Sequence, residues 1–69
     1  MKQYNDRLKE IRIDRDMSQE DIAKILKIDR KVYGRYENGI NEMPIHHLKT
    51  ICEFYKISAD YILGIKFEK

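Results

Sequence analysis

The chain has 69 residues, 42% of them hydrophobic, with 14 Lys and Arg against 12 Asp and Glu and a formal net charge of +2. That length makes one domain with a modest core and no room for a separate catalytic or effector unit, and the apolar content excludes a disordered chain. Near-neutrality argues against bulk electrostatic packaging of nucleic acid. The charge is unevenly spread, however: Lys24, Lys27, Arg30, Lys31 and Arg35 face only Asp29 in the same stretch. A local basic stripe suits either a focused anionic contact or a solvated helix face. Cys52 is single, so no disulfide framework forms within one chain, which fits a reducing compartment. The opening MKQYNDRLKE has no apolar run, arguing against a signal peptide. No stretch approaches the roughly 20 apolar residues of a membrane span.

Five helices with short connections are expected, in an all-α bundle. The first covers about residues 5–15, with Leu8 and Ile11 on one face and Tyr4 extending it backward. The second opens with Ser18 as N-cap, whose hydroxyl accepts from an orphan N–H of the first turn. Glu20 and Asp21 place negative charge at its positive end. Met17 is set to staple onto Ile22, and Ile22, Ala23 and Leu26 form the buried face. Asp29 caps the third helix and Ile28 staples to Tyr33. It stops at Glu37-Asn38-Gly39, where Gly39 supplies a left-handed cap. The fourth opens at Pro44, preorganised for the first helical position, with Ile45, Leu48, Ile51, Cys52 and Tyr55 as its apolar set. The fifth is capped by Ser58, stapled by Ile57 and Ile62, and stopped at Gly64. Residues 1–64 thus form one domain. Residues 65–69, IKFEK, make a short C-terminal tail that reads as either a strand or a frayed end.

The stretch SQEDIAKILKIDRKVYGRYENG, residues 18–39, therefore reads as two short helices joined by a tight turn, the second bearing Arg30, Lys31 and Arg35. This is the layout of a helix-turn-helix, which puts its second helix into the DNA major groove. Together with the Pro-initiated helix and KISADYILG, it resembles the phage repressor and Cro-like helix-turn-helix family over about residues 5–64. The most specific pieces are Ser18-Gln19-Glu20, the run Arg35-Tyr36-Glu37-Asn38-Gly39, and residues 58–64.

The resemblance implies a compact five-helix bundle of the lambda-repressor-like type. It implies a sequence-specific regulator, usually a repressor, that binds double-stranded operator DNA as a homodimer in a bacterial or phage-derived cytoplasmic setting. It assigns base contacts to Arg30, Lys31 and Arg35 at the start of the third helix, about residues 29–38. An arginine there suits guanine O6 and N7. Arg35 is open to a phosphate role instead. Gln19, Lys27 and Asn38 take backbone contacts, and Arg12 and Glu37 match an internal salt bridge between the first and third helices. Members also include antitoxins, so a protein-interaction module whose main partner is another protein is the alternative.

Two departures from the family pattern stand out. Lys27 occupies a turn position where relatives often carry Gly; a left-handed lysine there would be strained by on the order of 1 kcal/mol. Gly34 interrupts the recognition helix at a cost of about 1 kcal/mol relative to Ala, with close approach to the sugar-phosphate chain as a reason. Glu42 in the following loop would repel phosphate, so a shallow salt dependence is expected.

Other constellations carry less. His46 and His47 are adjacent, about 100 degrees apart on a helix, and match no zinc spacing; no metal or cofactor is expected. Cys52 reads as a small core hydrophobe. Tyr33, Tyr36, Tyr55 and Tyr61 recur at buried spacing, although the Tyr33 and Tyr36 hydroxyls remain candidates to reach a phosphate. No acidic pair has the setting that acid–base catalysis requires, so no enzyme is expected. Phe54, Ile65 and Phe67, with Tyr61 ambiguous, fall outside the core pattern and suggest a C-terminal dimer contact, including a tail strand paired across a two-fold axis.

Overall fold

A computed structural model describes residues 3–65. It contains five helices: α1 (Tyr4–Asp14), α2 (Gln19–Leu26), α3 (Arg30–Glu37), α4 (Ile45–Tyr55) and α5 (Ala59–Leu63). No strand occurs among the described residues. The body measures 30 × 23 × 22 Å. α2 packs most extensively on α3, α1 crosses both α3 and α5, and α4 lies against α2 and α5.

Local chemistry sets the helix ends. Ser18 Oγ accepts from the Asp21 N–H at 3.0 Å, while Asp21 Oδ2 accepts from the Ser18 N–H at 2.9 Å. The two form a reciprocal capping box. The Ser18 backbone and side-chain hydrogen bonds hold the Asp21 pKa below its ordinary value. Asp29 Oδ1 accepts from the Lys31 N–H at 2.7 Å and Ser58 Oγ from the Asp60 N–H at 3.0 Å.

The two connections Lys27-Ile28-Asp29 and Lys56-Ile57-Ser58 share one grammar. Each lysine is left-handed (φ 59° and 57°) and ends a helix. The following isoleucine donates its N–H back to the helix it leaves, Ile28 to Ala23 O and Ile57 to Cys52 O, and packs inward. The third residue then caps the next helix. Each tripeptide thus satisfies orphan carbonyls behind it and orphan N–H groups ahead of it. Gly39 and Gly64 take the positive-φ positions after α3 and α5.

The core comprises Leu8 and Ile11 of α1, Ile22, Ala23 and Leu26 of α2, Tyr33 and Tyr36 of α3, Ile51 and Tyr55 of α4, and Ile57 and Ile62. Burying each such aliphatic side chain contributes about 1.5–3 kcal/mol. Three expectations shift. Pro44 is the N-cap of α4 rather than its first helical residue. Ile45 is 83% exposed. The apolar arc of α4 is wider than its neighbours cover: the Ile51–Tyr55 edge enters the core, Leu48 and Cys52 pack half-buried against it, and these two with Ile45 line a shallow open groove of about 320 Å³ beside Lys49, Glu53 and Ala59. His46 and His47, expected to diverge, bring their rings to 4.1 Å, and His47 also lies 6.1 Å from Tyr36. Side-chain rotation overcomes the angular offset of their backbone positions. Burial and the neighbouring His46 lower the His47 pKa. Among the described residues no group of three or more His, Cys, Asp or Glu could hold a metal ion, and no helix is long and apolar enough to cross a membrane. Phe54 and Ile65 are exposed as expected. Phe67 and the remainder of the tail, with the choice there between a strand and a frayed end, lie outside the described residues.

Candidate nucleic-acid interface

On α3, positions 30, 34 and 38 follow one another at helical spacing, and 31 and 35 run beside them. Arg30, Lys31, Arg35 and Asn38 are all exposed, while Tyr33 and Tyr36 on the opposite side are buried. The helix therefore presents one cationic face and anchors the other. Lys27 is exposed in the turn just before it. Of the stripe's charges, Lys24 makes only a loose 3.8 Å pair with Glu20, both solvated, a contact of little worth.

The rear of α3 is fixed by Glu37, whose side chain is 0% exposed. Arg12 of α1 grips it in a fork, Nε to Oε2 at 2.8 Å and Nη2 to Oε1 at 3.1 Å. Arg12 Nη1 also donates to Met17 O at 2.9 Å, tying down the entry to α2. Gln19 Nε2 donates to Glu37 Oε1 at 3.1 Å. A single carboxylate thus joins α1, α2 and α3. Burial alone would raise the Glu37 pKa, but hydrogen bonding from Arg12 and the polar groups of Tyr33 and Gln19 outweigh it and hold it below the ordinary value. Hydrogen bonding to Glu37 correspondingly raises Arg12. Burial, foremost, and the same carboxylate raise the phenols, Tyr55 to about 12 and Tyr33 further.

Tyr33 is fully buried, in keeping with the core role read from its spacing, so its hydroxyl does not face solvent and is no longer a candidate to reach a phosphate. Within the protein, Gly34 makes a close approach that the pattern did not suggest: a Cβ there would meet Gln19 Oε1 of α2 at 3.3 Å. The half-buried Gln19, expected at phosphate, spends one N–H on Glu37.

Sequence reasoning missed Asn5. It is buried on α1 and donates its Nδ2 to Glu37 O at 3.1 Å, satisfying a carbonyl at the end of α3. A Cβ on Gly39 would meet the same Nδ2 at 3.3 Å, so Gly39 serves both the left-handed turn and this contact. A short amide on an otherwise apolar helix face was the available signal.

Lys27 has φ 59° and ψ 43°, the strained region for a side chain bearing Cβ. Lys27→Gly is expected to raise the melting temperature by about 4–8 °C, the shift about 1 kcal/mol gives in a domain of this size. It is also expected to weaken duplex binding modestly through loss of the charge. A thermal melt of the variant checks the first half, and a clear fall would refute it.

A family model described as Helix-turn-helix matches residues 8–62. Among curated proteins, the chain is 32% identical over 62 residues to the uncharacterized HTH-type transcriptional regulator YobD of Bacillus subtilis (strain 168), covering 90% of this chain and 55% of that protein. It is 33% identical over 60 residues to the SPbeta prophage-derived uncharacterized HTH-type transcriptional regulator YonR of the same organism, covering 87% and 56%. It is 32% identical over 57 residues to the antitoxin PezA of Streptococcus pneumoniae, covering 83% and 36%. The chain thus spans about half the length, or less, of these relatives. No solved structure matches it at a significant level.

Proposed function

The chain belongs to the helix-turn-helix family of DNA-binding transcriptional regulators, and from that premise we propose that it is a sequence-specific repressor that occupies double-stranded operator DNA as a homodimer, with α3 in the major groove. The observation that carries this reading is the division of α3 into an exposed face of Arg30, Lys31 and Arg35 and a buried face of Tyr33 and Tyr36. With side chains a helix is about 10–12 Å across, the width of the major groove. The base edges there offer acceptors that match these donors: guanine O6 and N7 accept from an arginine fork or from a lysine.

Lys27 and Asn38, at the two ends of α3, and Gln19, at the start of α2, flank the readers and take the sugar-phosphate chain, fixing register without reading sequence. Glu42 in the exposed loop opposes such contact, so salt dependence is shallow. One helix reads only a few base pairs. Two copies with recognition helices about 34 Å apart read successive turns of one groove. Repression follows by occlusion of the operator.

Selection of bound sequences from a random duplex library tests this reading. The expected product is a symmetric site with guanine in each half and half-sites one helical turn apart; recovery of no enriched sequence would overturn it. The match to an antitoxin favours one alternative, a module whose main partner is another protein. Duplex binding unaffected by alanine at Arg30, Lys31 and Arg35 together would support that alternative.

A further inference from the structure

Gly34 sits inside α3 with ordinary helical geometry, so backbone freedom does not explain it. Space does. Its missing Cβ leaves room for Gln19 Oε1, which would stand only 3.3 Å from that atom. At the other end of the same carboxamide, Nε2 donates to Glu37 Oε1 at 3.1 Å. Residues 34 and 37 are three apart on α3 and therefore share a face. The amide of α2 lies along that face, oxygen over Gly34 and nitrogen on Glu37. A carboxylate accepts but does not donate, so Glu37 fixes which end of the amide is which. Glu37 cannot drift, because Arg12 holds both its oxygens. The amide nitrogen retains a second N–H that no described residue accepts.

Resting on the DNA-binding reading above, we propose that Gly34 is a positioning residue for the nucleic-acid contact. By lacking a Cβ it seats the Gln19 carboxamide against Glu37, and that seat holds the second N–H of Gln19 ready for a backbone phosphate of duplex DNA. A methyl group at position 34 requires the amide to move by a few tenths of an ångström. Because the same carboxamide is bonded to Glu37 at its other end, that displacement disturbs the seat. Gly34 thus gives up helix propensity in exchange for a preset donor.

The test uses the full chain and a short fluorescein-labelled duplex of arbitrary sequence, since a phosphate contact serves all sequences alike. Gln19→Ala is expected to weaken binding about ten-fold or more, the size of one hydrogen bond to a charged phosphate, and Gly34→Ala to weaken it by up to the same factor. The double variant is expected to bind no more weakly than Gln19→Ala alone, because the methyl acts through the amide. The slope of affinity against salt stays unchanged, since a neutral amide releases no counterion. In nitrogen-resolved NMR the Gln19 side-chain amide resonances shift in Gly34→Ala. The melting temperature of Gly34→Ala does not fall, so lost binding is not lost folding.

A double variant weakened by the product of the two single effects would overturn the proposal, because the methyl would then meet DNA directly. Unchanged binding by Gly34→Ala, or unmoved Gln19 resonances, would overturn it as well. A parent chain that bound neither the arbitrary duplex nor the site selected from the random library would remove the DNA-binding reading and the proposal together, even with Gln19 seated as described. The NMR arm separates that outcome from failure of the seat.

Discussion

Glu37→Ala is expected to lower stability by about 3–5 kcal/mol, the cost of removing one partner of a buried ion pair. The Glu37 side chain is 0% exposed and its Arg12 partner only 12%. Alanine would leave the guanidinium buried without its carboxylate and free the Gln19 amide. A domain stability of about 5–15 kcal/mol is typical, and a small domain sits toward the lower end. The loss therefore takes much of the total, and a melting temperature lower by at least about 12 °C is expected. A shift of a degree or two would show that the pair contributes orientation and little stability.

The pH dependence gives a second readout. The folded-state pKa of Glu37 lies below its ordinary 4.5. The unfolded chain therefore binds this proton more readily than the folded one. Its contribution is fully present above about pH 4.5 and is lost as the pH falls through the folded value. In Arg12→Ala the folded-state pKa of Glu37 moves up, because burial still raises it while only the Tyr33 and Gln19 hydrogen bonds remain to lower it. The loss of stability on acidification therefore shrinks relative to the parent. Melts of parent and Arg12→Ala across that range decide the matter: parallel curves would contradict this account of Glu37.

Alanine at Arg30, Lys31 or Arg35 is expected to cost about 1–3 kcal/mol per reading contact at the selected operator, or roughly five- to 150-fold in affinity. Each change acts in both halves of a two-fold complex, so the observed loss approaches twice that energy. The informative quantity is the pattern across sequences. A base-reading side chain, once removed, relaxes preference at one position of each half-site. Lys27→Ala instead weakens all sequences alike and flattens the salt slope by about 1 per protomer. Arg35 is assigned by the same criterion, since a position-specific loss marks a base contact and a uniform loss a phosphate contact. Titrating labelled operator and single-base variants at several salt concentrations reads both. A triple variant that kept full sequence preference would remove these residues as readers.

The helix ends were legible because their causes lie within a few residues. Ser18 with Asp21, Asp29 with Lys31 and Ser58 with Asp60 each cap over two or three positions. The two Lys-Ile-Asp/Ser connections need only their own backbone turn and the side chain that follows. The Arg12–Glu37 pair came from family resemblance, not from any local pattern, and the structure gives it the fork geometry described above. The exposure of Arg30, Lys31 and Arg35 followed from the burial of Tyr33 and Tyr36 at neighbouring helical positions.

The sequence by itself determined five helices, their order, the caps at Ser18, Asp29 and Ser58, and a cationic face on the third. Its periodicity specifies which residues share a face, because a helix repeats every 3.6 residues whatever surrounds it. Only the tertiary structure decided which of two adjacent faces found a partner. Thus Ile45 stayed exposed while Ile51 was buried, Gln19 closed on Glu37 across 18 residues, and Asn5 reached the end of α3 across 32. Gly34, costly when read along its own helix, became intelligible only when α2 was laid beside it. Such contacts join segments that no local propensity brings together. They form because packing α1, α2 and α3 around one core places those polar groups where water no longer serves them, and each must then find its partner in the protein.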